Sequence, residues 1–312
     1  MFLRSYASAA LLLSATALSA CSDPTLQRFP GNRQLAGASF TVGSKDFSEQ
    51  IILGQMTIQL LRANGADVTD RTDIKGSSST RNALESGDIS MYWEYTGTGW
   101  VTHLKKTKPA PDQREQFDTV AKADLEKNEI VWLNPASFNN TYAFAVRKDT
   151  AQRLGVKSLS DLSELSMSRP REATFCMESE FSTRDDGFPG VIEKYGFTSP
   201  EVKILDTGLI YTETAKGKTC NFGEVFSTDG RIQANGLVLL EDDKDFFPAY
   251  QPSLTMKEET VNKYPQLRTM FTPLADSLTT DVMRELNARA DVNGEDPHDI
   301  AESWLKKNGF LW

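Results

Sequence analysis

The sequence contains few of the residues from which metal centres are built. Only three cysteines and two histidines occur among 312 residues, no CxxC pair is present, and His103 and His298 are far apart in the chain. A structural zinc site needs four closely arranged nitrogen or sulfur ligands. We therefore expect no metal site and no cofactor.

Short motifs of catalysis are also lacking. No GxSxG, HExxH or GxxxxGK[ST] pattern occurs, and Gly97-Thr98-Gly99 lacks the third glycine of a dinucleotide-binding fingerprint. Paired carboxylates such as Glu178 and Glu180 could in principle act as acid and base, but most such pairs are solvated loop charges. We therefore expect no catalytic residues and a protein that is not an enzyme.

Positive charge is scarce. The formal net charge is −9, and it becomes −10 without the first twenty residues, whose only charged side chain is Arg4. The densest basic run, HLKKTK (103–108), is typical of a solvated loop. An acidic surface argues against nucleic acid as a partner. The content of 39% hydrophobic and 25% charged residues is typical of a globular protein with a substantial core.

Long apolar runs are absent, and the apolar stretch near the N-terminus is too short to span a membrane. Arg4 precedes ASAALLLSATALSA (7–20), a pattern typical of a secretory signal peptide. The following LSAC (18–21) resembles the lipobox of bacterial lipoproteins, in which cleavage occurs before a lipid-modified cysteine. We predict a signal peptide at 1–20, lipidation of Cys21 and a polar tether at 21–38, with cleavage at Ala-x-Ala without lipidation as the alternative.

Export would place the two remaining cysteines in an oxidising compartment. Cys176 and Cys220 are then expected to form a disulfide, because cysteine pairs outside the cytoplasm commonly do so. The same reasoning predicts an extracytoplasmic location, periplasmic or at the cell surface, with attachment to the membrane through the lipid on Cys21.

From residue 39 onward, short apolar strands alternate with helical patterns. Phe47 and Ile51 begin an apolar helical face, Asp46 and Glu49 resemble a capping box, and Asn64-Gly65 is a plausible helix end. Strand–helix alternation predicts an α/β protein with largely parallel sheets covered on both faces. The chain is long for one compact sheet of this kind, so we expect two lobes.

Parallel α/β sheets bind ligands beyond the carboxyl ends of their strands. The residues just past the predicted strands include several aromatics, two cations and few acids. They are Ser44-Lys45, Tyr95 to Gly99, Asn139 to Tyr142, Arg184, Phe226 to Gly230, and FFPAY, which ends at Tyr250.

The aromatic stretch MYWEYTGTGW (91–100) combines a strand with a turn. We expect Trp93 to face the core and Tyr95, two residues on, to turn into the ligand cleft. Gly97 and Gly99 would then let the backbone approach the ligand, because neither carries a Cβ.

Six stretches together resemble the quaternary-amine-binding subunits of osmoprotectant ABC importers, which take up glycine betaine, choline, carnitine and relatives. They are VGSKDFSEQIILGQM (42–56), MYWEYTGTGW (91–100), NNTYAFAVR (139–147), EFSTRDDG (180–187), FSTDGRI (226–232) and LEDDKDFFPAYQP (240–252). They occur in the expected order and cover nearly all of the mature chain.

The resemblance implies a two-lobed periplasmic-binding-protein fold of type II, with a ligand cleft between the lobes and two crossover strands. Lobe 1 would comprise 39–141 and 251–312, and lobe 2 would comprise 142–250. It also implies a monomer that captures a quaternary ammonium osmoprotectant and delivers it to the permease subunits of an ABC importer. Two alternatives remain at this point, a binding protein for another small zwitterion or amino acid, and an exported enzyme on the same scaffold.

The resemblance further implies a box of aromatic side chains around the trimethylammonium group. At the matching positions this box would consist of Tyr95, Tyr142, Phe226 and Tyr250. The family often has tyrosine where this chain has Phe226, so one hydroxyl is lost while the ring remains. The alternative is that Tyr95 and Tyr142 are ordinary core residues.

A ligand carboxylate would, by the same resemblance, meet Lys45, Thr98 and Arg184. Arg184 has an alternative role, because it could pair with Asp185 or Asp186 beside it.

Overall fold

A computed structural model describes residues 33–107, 109–110, 112–198 and 200–312. The predicted signal peptide, Cys21 and the first part of the tether, up to residue 32, lie outside the described residues.

Strands and helices alternate over much of the described chain, which ends in five consecutive helices. The strands are β1 Ser39–Lys45, β2 Asp67–Ile74, β3 Met91–Tyr95, β4 Ile130–Trp132, β5 Tyr142–Arg147, β6 Thr174–Met177, β7 Glu201–Ile204, β8 Phe222–Phe226, β9 Leu237–Leu239 and β10 Pro252–Lys257. The helices are α1 Ser48–Ala63, α2 Ser77–Ser86, α3 Thr96–Thr98, α4 Gln113–Asn128, α5 Lys148–Leu154, α6 Leu159–Ser168, α7 Phe188–Tyr195, α8 Thr207–Lys216, α9 Arg231–Ala234, α10 Glu258–Lys263, α11 Leu267–Met270, α12 Thr272–Ser277, α13 Thr280–Asp291 and α14 Pro297–Lys307. The described residues also include a π-helical turn, Gly99–His103, and a 3-10 turn, Pro170–Glu172.

Two five-stranded sheets organise the molecule. The first has the order β2-β1-β3-β10-β4 and the second has the order β7-β6-β8-β5-β9. We call the part built on the first sheet lobe 1 and the part built on the second sheet lobe 2. This is the two-lobed α/β architecture that the sequence predicts.

The prediction of largely parallel sheets is confirmed, because four of the five strands in each of these sheets run in the same direction and one strand is reversed, β10 in lobe 1 and β5 in lobe 2. In lobe 1, β1 runs parallel to β2 and β3, whereas β10 runs antiparallel to both β3 and β4. Lobe 2 repeats this mixture, with β6 parallel to β7 and β8, and β5 antiparallel to β8 and β9. The physical reason lies in the connections. The strand that enters each sheet after a crossing between lobes arrives from the opposite direction and pairs antiparallel.

The two crossings lie next to each other. The chain leaves lobe 1 between β4 and β5 (133–141) and returns between β9 and β10 (240–251). The backbone N–H of Asn140 donates to the carbonyl oxygen of Tyr250 at 3.1 Å, so the two crossings are hydrogen-bonded to each other. Adjacent paired crossings of this kind favour a hinge about which two lobes can open and close.

Each lobe has its own core. Val42, Ile52, Trp93 and Leu305 are buried together in lobe 1, where α1 packs between the sheet and α14. In lobe 2 the core is rich in phenylalanine, and the Phe144 and Phe175 rings lie 5.5 Å apart in an edge-on arrangement. The cavity described below therefore lies between two separately packed units.

Local sequence signals give mixed results. Gly65, with a φ of +90°, follows the end of α1, as the Asn64-Gly65 pattern predicts. The capping-box prediction for Asp46 and Glu49 is wrong. Within the described chain the N-cap of α1 is Phe47, and no side chain caps this helix. Glu49 is instead buried and bonded to residues that are distant in sequence, as described below.

The predicted disulfide is confirmed. Cys176 lies on β6, Cys220 lies two residues before β8, and the structure joins them across a sequence separation of 44 residues. Both cysteines belong to lobe 2, where β6 and β8 are paired neighbours, so this bond ties together adjacent parts of one lobe.

Candidate functional site

A cavity lies between the lobes where several strands end. Lys45 ends β1, Tyr95 ends β3, Phe226 ends β8 and Tyr142 begins β5, while Tyr250 lies just before β10. The space among them is about 480 Å³ and is partly open to solvent.

Aromatic rings form one side of the cavity. All four predicted box residues line it, and Phe47 is a fifth ring. The Tyr142 ring lies 5.4 Å from that of Phe226 and 5.2 Å from that of Tyr250, while Phe47 lies 5.0 Å from Phe226 and 6.1 Å from Tyr95. The helical spacing of the sequence predicts Phe47 on the apolar face of a helix. Phe47 instead precedes α1 and is half-buried at the cavity.

Trp93 and Tyr95 divide as the sequence predicts. Trp93 is 1% exposed in the core of lobe 1, and its indole nitrogen donates to the Thr57 hydroxyl at 2.9 Å. Tyr95 is the last residue of β3 and its side chain lines the cavity. Both side chains donate a hydrogen bond to a residue of α1, but only Tyr95, at the end of the strand, also lines the cavity.

The two glycines after Tyr95 have a different role from the one predicted. A Cβ on Gly97 would lie 2.5 Å from Cε1 of Tyr250, and a Cβ on Gly99 would lie 2.7 Å from the Trp132 ring. Neither distance is sterically possible without movement. The glycines therefore admit two aromatic rings, rather than a ligand, close to the backbone.

Lys45 lines the cavity but is also paired within the protein. Its ammonium group donates to Glu94 Oε1 at 2.6 Å and lies 5.1 Å from the centre of the Tyr95 ring. Burial disfavours the Glu94 carboxylate, but the positive charge of Lys45 and the contact with His103 outweigh burial and lower the pKa of Glu94. Glu94 is thus a buried counter-ion, and it uses one of the three ammonium hydrogens.

Arg184 lies one layer behind the cavity. Its guanidinium pairs with both oxygens of Asp186, with Nε–Oδ1 at 2.7 Å, and Nη1 donates to Glu180 at 2.9 Å. Nη2 lies 3.4 Å from the Thr98 hydroxyl, and Thr98 does line the cavity. The alternative role, pairing with a neighbouring aspartate, is therefore observed for Arg184, with Asp186 as the partner.

The expectation of few acids is wrong. Asp46, Glu178 and Glu180 all line the cavity. Burial, followed by repulsion from Asp46 and Glu180, raises the pKa of Glu178 to about 7. Beneath it, burial and repulsion from Glu178 raise the pKa of Glu224 well above its usual range. Glu178 and Glu180 are a local pair in the sequence, but Asp46 and Glu224 lie far from them along the chain, so the fold and no local pattern brings the four acids together.

Glu49 is a functional candidate that sequence reasoning missed. This buried carboxylate accepts hydrogen bonds from the Tyr95 hydroxyl (2.8 Å), Asn140 (2.8 Å), the Thr228 hydroxyl (2.6 Å) and Asn287 (2.9 Å). Burial raises its pKa above the usual range, although the four donors oppose this shift. Glu49 thus joins the ring of Tyr95 to a crossing segment and to lobe 2.

Potential metal ligands cluster away from this cavity. Among the described residues, His298, Asp299 and Glu302 bring three ligand atoms within 4.8 Å of one another on α14. All three belong to one helix and none is buried, so a bound ion would take its remaining ligands from water.

Two α/β lobes that enclose an aromatic cavity beside paired crossings define a class, the two-lobed solute-binding proteins. Residues 38–307 match the family described as the substrate binding domain of ABC-type glycine betaine transport system. The chain belongs to this family, whose members bind substrates and are not described as enzymes.

Individual relatives agree with the assignment. A glycine-betaine-binding protein of Pseudomonas aeruginosa is 36% identical over 86% of this chain and 88% of its own length. The glycine betaine-binding protein YehZ of Escherichia coli is 30% identical over 88% and 92%. A solved structure described as a glycine betaine/carnitine/choline ABC transporter has a TM-score of 0.70 and 30% identity, covering 87% of this chain and 99% of that one.

None of the helices in the described part of the chain combines the length and the apolar character that a membrane span requires.

Proposed function

We propose that this protein captures a quaternary ammonium osmoprotectant, such as glycine betaine or choline, outside the cytoplasm and delivers it to an ABC importer. The observation that carries the proposal is the group of five rings, Phe47, Tyr95, Tyr142, Phe226 and Tyr250, around one cavity. A trimethylammonium group cannot donate hydrogen bonds and is weakly hydrated, so the faces of aromatic rings suit it better than carboxylates do. Each well-placed ring contributes about 0.5–2 kcal/mol.

Binding and closure are coupled in this proposal. Tyr95 comes from lobe 1, whereas Tyr142 and Phe226 come from lobe 2, so a cation among the rings contacts both lobes. A ligand that contacts both lobes favours the closed arrangement over the open one. We propose lobe boundaries at 39–141 with 251–312, and at 142–250, and a monomeric protein whose closed form is recognised by the permease subunits.

For a ligand that carries a carboxylate, we assign direct contact to Lys45 and Thr98. Both line the cavity, and Glu94 leaves two ammonium hydrogens of Lys45 for other acceptors. Arg184 is a positioning residue in this proposal, because it lies beside the Thr98 hydroxyl and behind the Tyr142 ring.

Calorimetric titration against glycine betaine, choline, carnitine and proline betaine tests the proposal. The matched control for choline is 3,3-dimethylbutanol, which has the same shape without the charge. We expect dissociation constants in the micromolar range for at least one amine and binding at least tenfold weaker for the neutral analogue. Equal binding of choline and its neutral analogue would contradict the role of the rings. Tight binding of unmethylated glycine would instead favour a protein for amino acids.

We also propose that the chain is attached to the membrane through a lipid on Cys21. The support is the lipobox-like LSAC (18–21) and the polar segment before β1. Replacement of Cys21 by Ala should release the protein from membranes or leave it unprocessed. An unchanged distribution in detergent partitioning would contradict the anchor.

A further inference from the structure

Helix α2 begins without a capping side chain of its own. It runs from Ser77 to Ser86, and the N-cap position is Gly76, with a φ of +83°. The first backbone N–H groups of a helix have no partner within the helix, and a side chain at the N-cap usually accepts from them. Glycine cannot do so, and Ser77 is 4% exposed, so water is a poor substitute.

The missing acceptor comes from the other lobe. Glu180 belongs to the segment between β6 and α7 in lobe 2, and its Oε2 accepts from the backbone N–H of Ser77 at 3.0 Å. A Cβ on Gly76 would make an ordinary van der Waals contact with the same oxygen, at 3.6 Å, and it is the φ of +83° that favours glycine at this position. A negative charge at this end of a helix is also favoured by the helix dipole.

We propose that Glu180 caps α2 from the opposite lobe and thereby acts as the latch that holds the cleft closed around the ligand. The proposal rests on the proposed function, because it requires a ligand that closes the lobes. When the lobes separate, the Ser77 N–H loses its acceptor, and the Glu180 carboxylate loses its contacts with Ser77 while it keeps the bond from Arg184. Closure therefore restores a charge-assisted hydrogen bond at a distance from the hinge.

Contacts within lobe 2 connect the latch to the ligand cavity. Glu180 itself lines the cavity, and its Oε1 accepts from Arg184 at 2.9 Å. Arg184 is held by Asp186, which also accepts from the Tyr250 hydroxyl at 2.8 Å. Arg184 thus fixes one oxygen of the Glu180 carboxylate, and Arg184 shares its partner Asp186 with the aromatic-box residue Tyr250. The other oxygen of Glu180 is left to reach α2.

A substitution at Ser77 can delete the donor while keeping the helix. Proline has no backbone N–H and is well tolerated at the first position of a helix. Gly76 has a ψ of 149°, the extended range that a residue before proline requires. Ser77→Ala is the matched reference, because it also removes the hydroxyl but keeps the N–H. Proline both removes the donor and places its Cδ where the hydrogen was, so the comparison between the two variants tests the whole contact between the residue 77 nitrogen and Glu180, and the double variant with Glu180→Ala separates this contact from other effects of proline.

Dissociation constants and dissociation rates for choline and glycine betaine are measured for Ser77→Pro, Ser77→Ala and Glu180→Ala. We expect Ser77→Pro to bind about tenfold more weakly than Ser77→Ala through faster dissociation, as loss of a charge-assisted hydrogen bond predicts. The melting temperatures of the two ligand-free variants should agree within a few degrees. In the double variant Glu180→Ala/Ser77→Pro, the proline should add little to the effect of Glu180→Ala.

The possible outcomes test the latch and the proposed function separately. Equal binding by Ser77→Pro and Ser77→Ala, or fully additive effects in the double variant, would overturn the latch and leave the proposed function intact. A lowered melting temperature of ligand-free Ser77→Pro with unchanged affinity would mean that the contact is structural only. Wild-type protein that binds none of the quaternary amines would refute the proposed function and the latch together.

Discussion

Tyr95 offers the sharpest test of the aromatic cavity, because its ring and its hydroxyl can be removed separately. The ring lines the cavity, while the hydroxyl donates to Glu49 Oε1 at 2.8 Å. Tyr95 is only 4% exposed, so truncation to alanine would also leave a hole and lower stability. Tyr95→Leu removes the ring but keeps apolar bulk, and Tyr95→Phe keeps the ring but removes the hydroxyl.

The expected magnitudes follow from these contacts. One cation–π contact contributes about 0.5–2 kcal/mol, so Tyr95→Leu should weaken binding of choline and glycine betaine by about tenfold. Tyr95→Phe should remain within about threefold of wild type. Its cost in unfolding free energy should be about 1 kcal/mol, because Glu49 Oε1 still accepts from Asn140.

Calorimetric titration and thermal unfolding of both variants measure these quantities, and Trp93→Phe serves as the control. Trp93 packs in the core and donates to Thr57, so its replacement should cost about 1–3 kcal/mol of stability and leave the affinity of the folded protein unchanged. A role of the Tyr95 ring in binding the cation would be refuted if Tyr95→Leu bound as tightly as Tyr95→Phe, or if Trp93→Phe weakened binding more than either.

Four further outcomes are expected. Phe226→Tyr should keep affinity for glycine betaine within about threefold or tighten it, and a large loss would show that a hydroxyl does not fit there. Reduction of the Cys176–Cys220 bond, which spans 44 residues, should lower stability by about 3–4 kcal/mol, and two free thiols in the unreduced, unfolded protein would contradict the disulfide. Glu178 has a pKa of about 7 in the folded state against about 4.5 when exposed, so it binds more protons when folded. Stability should therefore fall as pH rises from about 4.5 to 7, and Glu178→Gln should flatten this slope in melting temperatures. Lys45→Gln should weaken glycine betaine about tenfold more than choline, and equal losses would mean that Lys45 only holds the cleft together.

The sequence predicts the folding elements well where a signal is local. Gly65 follows the end of α1 with a left-handed φ of +90°, and Trp93 is buried as its strand pattern suggests. The disulfide is predictable from compartment and number alone, because only Cys176 and Cys220 remain after Cys21. The helix end and the strand pattern depend on interactions within a few residues. For the disulfide, only one pair of cysteines is left to form it.

The partners of charged residues were not predictable in this way. Lys45 and Glu94 are 49 residues apart, and Glu49 meets Thr228 across 179 residues. A buried carboxylate is stable only where donors surround it, and those donors are brought together by the fold. Glu49 does not form the predicted capping box, because its carboxylate accepts hydrogen bonds from donors that are distant in sequence. Phe47 was misassigned for a related reason, because helical spacing does not reveal where the first turn begins.

The contact between Gly97 and the Tyr250 ring bears on how this scaffold could be engineered as a biosensor. A methyl group on residue 97 would lie 2.5 Å from Cε1 of Tyr250, about 1 Å inside the normal contact distance. The ring would have to shift, and it borders the cavity. Gly97→Ala therefore changes the room available to the cation while every aromatic residue is retained. A substitution at residue 97, behind the Tyr250 ring, is thus a way to change the selectivity between small and bulky ligands without replacing a residue of the aromatic box.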